Sequence, residues 1–94
     1  MIRIINQSGT GKTSQLMLLA KENNAIFVCE NPRAMRVKAQ AYGLENINFK
    51  SYHDFLTSYD EGTVVIDELE LFVESMMGDN KLIAYSLTTD NWLP

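Results

Sequence analysis

The sequence predicts one α/β domain over residues 1–94, in which helices cover both faces of a parallel sheet. Short apolar segments alternate with longer amphipathic ones, the order typical of parallel strands joined by crossover helices. Residues 25–29 are apolar throughout, which is typical of a strand buried on both faces. With 46% hydrophobic and 21% charged residues, the composition is that of a folded domain and excludes a disordered chain.

The first half of the chain divides into strand, helix, strand and helix. Residues 2–5 are an apolar segment, and a glycine-containing turn separates it from a helix predicted over 12–22. After the strand at 25–29, the Asn31–Pro32 pair suits the cap and first turn of a second helix. Gly43 predicts the end of that helix.

The second half continues this alternation with shorter elements. Residues 46–50 alternate between apolar and polar, which predicts a short peripheral strand. Ser51, followed three residues later by Asp54, resembles a capping box and predicts a third helix. The β-branched segment 63–67 predicts a strand that leads into an amphipathic helix, and residues 81–87 predict the last of five strands.

Charge and cysteine content restrict the class of protein. Eight basic and twelve acidic residues give a net charge of −4, which argues against binding to nucleic acid or membranes through bulk charge. Cys29 is the only cysteine, so no internal disulfide forms and a cytoplasmic location is expected. The longest apolar run, 16–20, is far below the ~20 residues that span a bilayer. The strand pattern at residues 2–5 predicts that no signal peptide is present, and no membrane association is expected.

Residues 8–13 read Ser-Gly-Thr-Gly-Lys-Thr and lie between a predicted strand and a predicted helix. Gly9 and Gly11 allow a tight turn whose N–H groups can surround phosphate oxygens at the helix N-terminus. Lys12 can reach the β- and γ-phosphates, and the Thr13 hydroxyl can bind Mg²⁺. The predicted nucleotide-binding residues are Ser8, Gly9, Thr10, Gly11, Lys12, Thr13 and Ser14.

One position departs from the phosphate-loop pattern G-x-x-x-x-G-K-[ST]. Asn6 occupies the place of the first glycine, although Asn tolerates left-handed backbone better than most residues. The alternative interpretation is a glycine turn followed by a surface lysine. The surrounding strand, loop and helix favour the phosphate loop.

Acidic residues end the strand predicted at 63–67. Asp67 is expected at the sheet edge, where it can hold the water shell of Mg²⁺. Glu68, one position later, is the candidate base for the water that attacks the γ-phosphate. The alternative is a strand end followed by a helix whose acidic first turn suits its dipole.

These segments resemble the additional-strand, catalytic-glutamate division of P-loop NTPases, in particular the first RecA-like domain of superfamily 1 and 2 helicases. Residues 8–13 resemble motif I, residues 64–68 motif II, and residues 86–88 the short motif III. The resemblance implies a truncated RecA-like domain whose five strands lie in the order first, fifth, fourth, second, third. It also implies Mg²⁺-dependent ATP hydrolysis, with Ser86 or Thr88 sensing the γ-phosphate. A minimal ATPase of this kind resembles those of bacteriophages and mobile elements.

The same family carries arginine fingers on a second domain, for which these 94 residues predict no counterpart. The resemblance therefore implies a homo-oligomer or a larger protein complex that supplies this charge. Arg33, Arg36 and Lys38 form a basic cluster that could contact nucleic acid or be a solvated helix face. Its two arginines, or Arg3, could instead act as fingers for a neighbouring subunit. Two other functions remain open: an interaction module controlled by nucleotide and weak or inactive as an enzyme, and a structural protein with a vestigial loop.

Overall fold

The computed structural model describes residues 4–5, 11–58, 60–86 and 92–93. Within them the chain forms five strands and four helices. None of these helices is both long and apolar enough to cross a membrane. In chain order the elements are β1 (Ile4–Ile5), α1 (Lys12–Glu22), β2 (Ile26–Cys29), α2 (Pro32–Ala41), β3 (Asn48–Ser51), α3 (Tyr52–Thr57), β4 (Val64–Ile66), α4 (Leu69–Ser75) and β5 (Trp92–Leu93).

The main sheet has three parallel strands in the order β3, β2, β4. Phe27 of the central strand is in register with Phe49 on one side and Val65 on the other. All four residues of β2 are buried, as the apolar segment predicted. β1 and β5 form a separate parallel pair in which Ile4 is opposite Trp92.

The prediction of a five-stranded RecA-like sheet is wrong. Residues 81–86 form no strand, and residue 87 lies outside the described residues. This segment contacts α4 through its side chains: Leu82 and Tyr85 line a cleft there, and the Tyr85 hydroxyl donates to Glu70 Oε1 at 2.7 Å. Ile83, between them, is 90% exposed. Packing against a helix therefore replaces the predicted insertion between the first strand and β4.

Two apolar clusters lie on opposite faces of the three-stranded sheet. On one face, Met17 of α1 and Ala39 of α2 pack against Phe27, whose ring meets Phe49 edge-on at 5.1 Å between centroids. On the other face, Val28 packs with residues of α3 and α4. The sheet is thus covered on both faces, which confirms the predicted α/β class and explains why every residue of β2 is apolar.

The predicted helix caps at the starts of α2 and α3 are confirmed. The Asn31 side chain accepts a hydrogen bond from the Ala34 N–H at 3.2 Å, and Ser51 Oγ accepts one from the Asp54 N–H at 3.0 Å. Each satisfies a backbone donor that the helix itself leaves unpaired. Both helices begin within a few residues of a strand end, so these caps fix where the chain turns away from the sheet.

Replacing Asn31 with Ala should lower the free energy of unfolding by about 1 kcal/mol, because the first turn of α2 loses its capping acceptor. Urea denaturation measures the change. Gln40→Ala, at an exposed position of the same helix, is the matched control and should change stability little. Equal effects of the two substitutions would contradict a capping role for Asn31.

Candidate functional site

The carboxyl ends of β2, β3 and β4 meet at one edge of the parallel sheet. Cys29 ends β2, Tyr52 directly follows β3, and Asp67 directly follows β4. The Asp67 N–H donates to the Val28 carbonyl at 2.9 Å, which keeps Asp67 attached to the central strand. Open α/β sheets bind ligands at this edge, so these residues define where a site is to be sought.

The start of α1 depends on a glycine. Gly11 has a φ of 105°, in the left-handed region that other L-residues rarely adopt. Its carbonyl accepts a hydrogen bond from Ser14 Oγ at 3.0 Å, which fixes the first turn. Lys12 and Thr13 follow Gly11 in that turn and are partly exposed. Ser8, Gly9, Thr10 and Thr88 lie outside the described residues, and so does Asn6.

An ion pair joins the start of α1 to the end of β4. Lys12 Nζ lies 3.1 Å from Glu68 Oε1, although the two residues are 56 positions apart. This hydrogen bond raises the pKa of Lys12 above its ordinary value. The side chains are 30% and 42% exposed, so the pair contributes little to stability. The ion pair matters for its location, because it brings into contact Lys12 and Glu68, the two residues predicted to act at the γ-phosphate.

Asp67 is a buried acid beside this ion pair. It is 7% exposed, and its Oδ1 atom has no hydrogen-bond partner among the residues that the structure describes. Burial, followed by the nearby charge of Glu68, raises the pKa of its carboxyl group. Such an atom is costly to bury unless a ligand satisfies it.

This orphaned oxygen of Asp67 is able to bind a Mg²⁺ ion. No cluster of three or more His, Cys, Asp or Glu residues able to hold a metal occurs in the described part of the chain. Mg²⁺ does not require such a cage, because it is commonly bound by one or two carboxylates together with phosphate oxygens and water. Asp67 can supply the carboxylate in that kind of site.

Two buried residues of this edge, Tyr52 and Cys29, were not predicted as site residues. The Tyr52 hydroxyl donates to the Asp67 carbonyl at 2.7 Å and lies 3.3 Å from the Glu68 carbonyl. Cys29 is 1% exposed, and burial, with a contribution from Asp67, raises its pKa to about 11. A neutral buried thiol is a poor nucleophile, so Cys29 belongs to the packing. The position of Cys29 at the end of a predicted strand was the available signal, whereas Tyr52 was predicted inside the third helix.

The remaining candidates are not members of this ion pair. Arg33, Arg36 and Lys38 are exposed on α2 and form no ion pair with any other described residue. The charge of Lys38 lowers the pKa of Asp67, the smallest of the influences on that acid. Ser86 is exposed and lines the cleft beside α4. The structure therefore brings together Lys12, Asp67 and Glu68, and leaves the basic cluster free on the surface.

No protein-family model, curated protein or solved structure matches this chain. Its function is accordingly inferred from the residues at this edge of the sheet.

Proposed function

We propose that this chain is a minimal P-loop NTPase that binds a nucleoside triphosphate with Mg²⁺ and hydrolyses it. The Lys12–Glu68 contact carries the proposal. It joins the start of α1, which follows Gly-Thr-Gly in the sequence, to the acidic residues that follow β4. These are the two parts that phosphoryl transfer requires: donors and positive charge for the phosphates, and acids for a metal and a water molecule.

Each residue has a distinct role in this proposal. Backbone N–H groups at the start of α1 and the Lys12 ammonium bind phosphate oxygens. Thr13 and Asp67 hold Mg²⁺, which when bound neutralises charge on the β- and γ-phosphates. The Glu68 carboxylate orients and deprotonates the attacking water. Binding requires Lys12 to leave Glu68, which frees the base at the moment the phosphate arrives.

ATP is the proposed nucleotide, on the resemblance of residues 8–13 and 64–68 to ATPase motifs. Phosphate contacts do not distinguish bases, so adenine and guanine must be compared directly.

The buried free thiol of Cys29 is compatible with a reducing compartment and supports a cytoplasmic location.

A partner is part of the proposal. Among the described residues, Lys12 is the one cation whose side chain contacts either site acid, Asp67 or Glu68. A second positive charge, supplied by another subunit, accelerates phosphoryl transfer by about 10³–10⁵. A second copy, through Arg33 or Arg36, or a larger complex would supply that charge. Alternatively, Arg33, Arg36 and Lys38 contact phosphates of a nucleic acid that the ATPase acts on.

A second candidate is an interaction module that binds ATP but turns it over negligibly alone. The observation that favours it is the same ion pair, because Glu68 held by Lys12 is not available as a base. Turnover distinguishes this module from the enzyme, whereas nucleotide binding does not.

The experiment that tests the enzyme is release of inorganic phosphate from ATP and GTP in the presence of Mg²⁺. We expect turnover by the wild-type chain and its loss in Lys12→Ala. Lys21→Ala is the matched control, because Lys21 lies in the last turn of the same helix and donates to the Glu45 carbonyl at 2.7 Å. Turnover that survives in Lys12→Ala would contradict the proposed site.

A further inference from the structure

The turn that carries the two site acids has an unusual backbone. Glu68 has φ 58° and ψ 72°, in the left-handed region. Of the described residues other than glycine, only Asn24, Asn46 and Glu68 have positive φ. Asn tolerates this conformation through its short polar side chain, whereas Glu has no such advantage. A strained conformation of this kind persists only where surrounding contacts impose it, and such residues cluster at functional sites.

The contact that imposes it comes from α3. The Tyr52 hydroxyl donates to the Asp67 carbonyl at 2.7 Å and lies 3.3 Å from the Glu68 carbonyl, so both carbonyls of the turn face one buried hydroxyl. A tyrosine hydroxyl carries its proton at neutral pH and is therefore a donor to these carbonyls. Tyr52 is 6% exposed, so water does not compete freely for this bond.

Tyr52 is itself held in place by its neighbours. It is the first residue of α3, whose N-cap Ser51 fixes the helix start at the end of β3. Its ring meets the Phe72 ring edge-on, with 5.4 Å between the centroids. Phe72 belongs to the first turn of α4, where its N–H donates to the Glu68 carbonyl at 3.1 Å. The Asp67–Glu68 turn is thus held by the Tyr52 hydroxyl and by the first turn of α4, on which the Tyr52 ring packs.

We propose that Tyr52 is a positioning residue of the phosphate site: its hydroxyl holds the Asp67–Glu68 turn so that the Glu68 carboxylate faces Lys12 while Asp67 stays at the sheet edge. This inference rests on the proposed function. Tyr52 acts through the backbone and does not touch the nucleotide. The α4 start would relax without this hydrogen bond, and Glu68 would leave the position where it can act on water.

Tyr52→Phe removes the hydroxyl and keeps the ring that packs on Phe72. Without nucleotide, we expect amide hydrogen exchange at Phe72 to become at least about tenfold faster, because its acceptor is the Glu68 carbonyl. The amide of Ile26 in β2, which donates to the carbonyl of Thr63, should exchange at an unchanged rate. Equal acceleration at both amides would indicate general destabilisation and overturn the positioning role, as would no acceleration at Phe72.

The functional readout is the split between kcat and KM for ATP with Mg²⁺, measured well below the melting temperature. We expect kcat of Tyr52→Phe to fall at least about tenfold with KM within about twofold, and no further fall when Glu68→Gln is already present. Tyr42→Phe, at a tyrosine that is 51% exposed, is the control and should behave as wild type. A Tyr52→Phe enzyme with unchanged kcat overturns the positioning role alone, whereas a wild-type chain without ATP turnover overturns the proposed hydrolysis and this role with it.

Discussion

Asp67→Asn should make the protein more stable and abolish the Mg²⁺-dependent part of nucleotide binding. The wild-type carboxyl group is buried, and its Oδ1 has no hydrogen-bond partner in the described ranges. Removing the charge at constant shape should raise the free energy of unfolding by about 1–3 kcal/mol. The same change removes the carboxylate that would hold Mg²⁺. A gain in stability with a loss of binding is typical of residues kept for function.

Urea denaturation at neutral pH and nucleotide titration with and without Mg²⁺ measure these two effects. Asp79→Asn is the matched control, because Asp79 is exposed in the turn that follows α4 and should change neither quantity. An Asp67→Asn protein less stable than wild type would show that the carboxylate stabilises the fold and would contradict its assignment to a ligand.

The pH dependence of stability provides an independent check on Asp67. Burial raises its pKa in the folded state above the ordinary value of 3.8, so the folded chain retains this proton to higher pH than the unfolded chain. The resulting stabilisation is fully present below pH 3.8 and is lost as pH rises through the folded pKa. Asp67→Asn should lack this decline. Parallel stability profiles of wild type and variant would contradict the assignment.

Glu68→Gln should reduce ATP turnover by about 10²–10⁴, the usual contribution of a general base. It should also tighten ATP binding, because Lys12 no longer has to leave an anionic partner at 3.1 Å before it reaches the phosphates. Phosphate release and equilibrium binding, measured on the same preparations, separate these opposite effects. Together they would identify Glu68 as both the base and the competitor for Lys12.

The matched control is Glu74→Gln, an exposed acid on α4, the helix that follows Glu68. It should leave turnover and affinity at wild-type values. A Glu68→Gln enzyme with full turnover would exclude Glu68 as the base, and weaker ATP binding would mean that the ion pair does not compete with the nucleotide.

Much of the fold follows from local sequence signals. The apolar segment 25–29 predicted a strand buried on both faces, and Asn31 and Ser51 marked helix starts that the structure confirms. Residues 81–87 were misassigned because apolar residues there satisfy a strand pattern equally well whether the backbone pairs or the side chains pack on α4. A local sequence pattern does not determine whether such a segment pairs with a distant strand or packs on a distant helix.

Part of the candidate site was also predictable from the local sequence. Lys12, Asp67 and Glu68 follow from spacing, because parallel strands place their carboxyl ends at one edge. The role of Tyr52 was not visible, since a tyrosine in an amphipathic helix reads as core and its hydroxyl partner is a backbone carbonyl 15 positions away. The left-handed backbone of Glu68 has no sequence signature, because the strain is imposed by tertiary contacts.

The most direct test of the phosphate site is a calorimetric titration of the wild-type chain and Lys12→Ala with ATP and Mg²⁺. We expect saturable binding by the wild type, dependence of that binding on Mg²⁺, and an affinity at least about 100-fold lower in Lys12→Ala. Lys21→Ala should bind as the wild type does. Absence of binding by the wild-type chain, or equal binding by Lys12→Ala, would contradict the assignment of this edge of the sheet to a nucleotide.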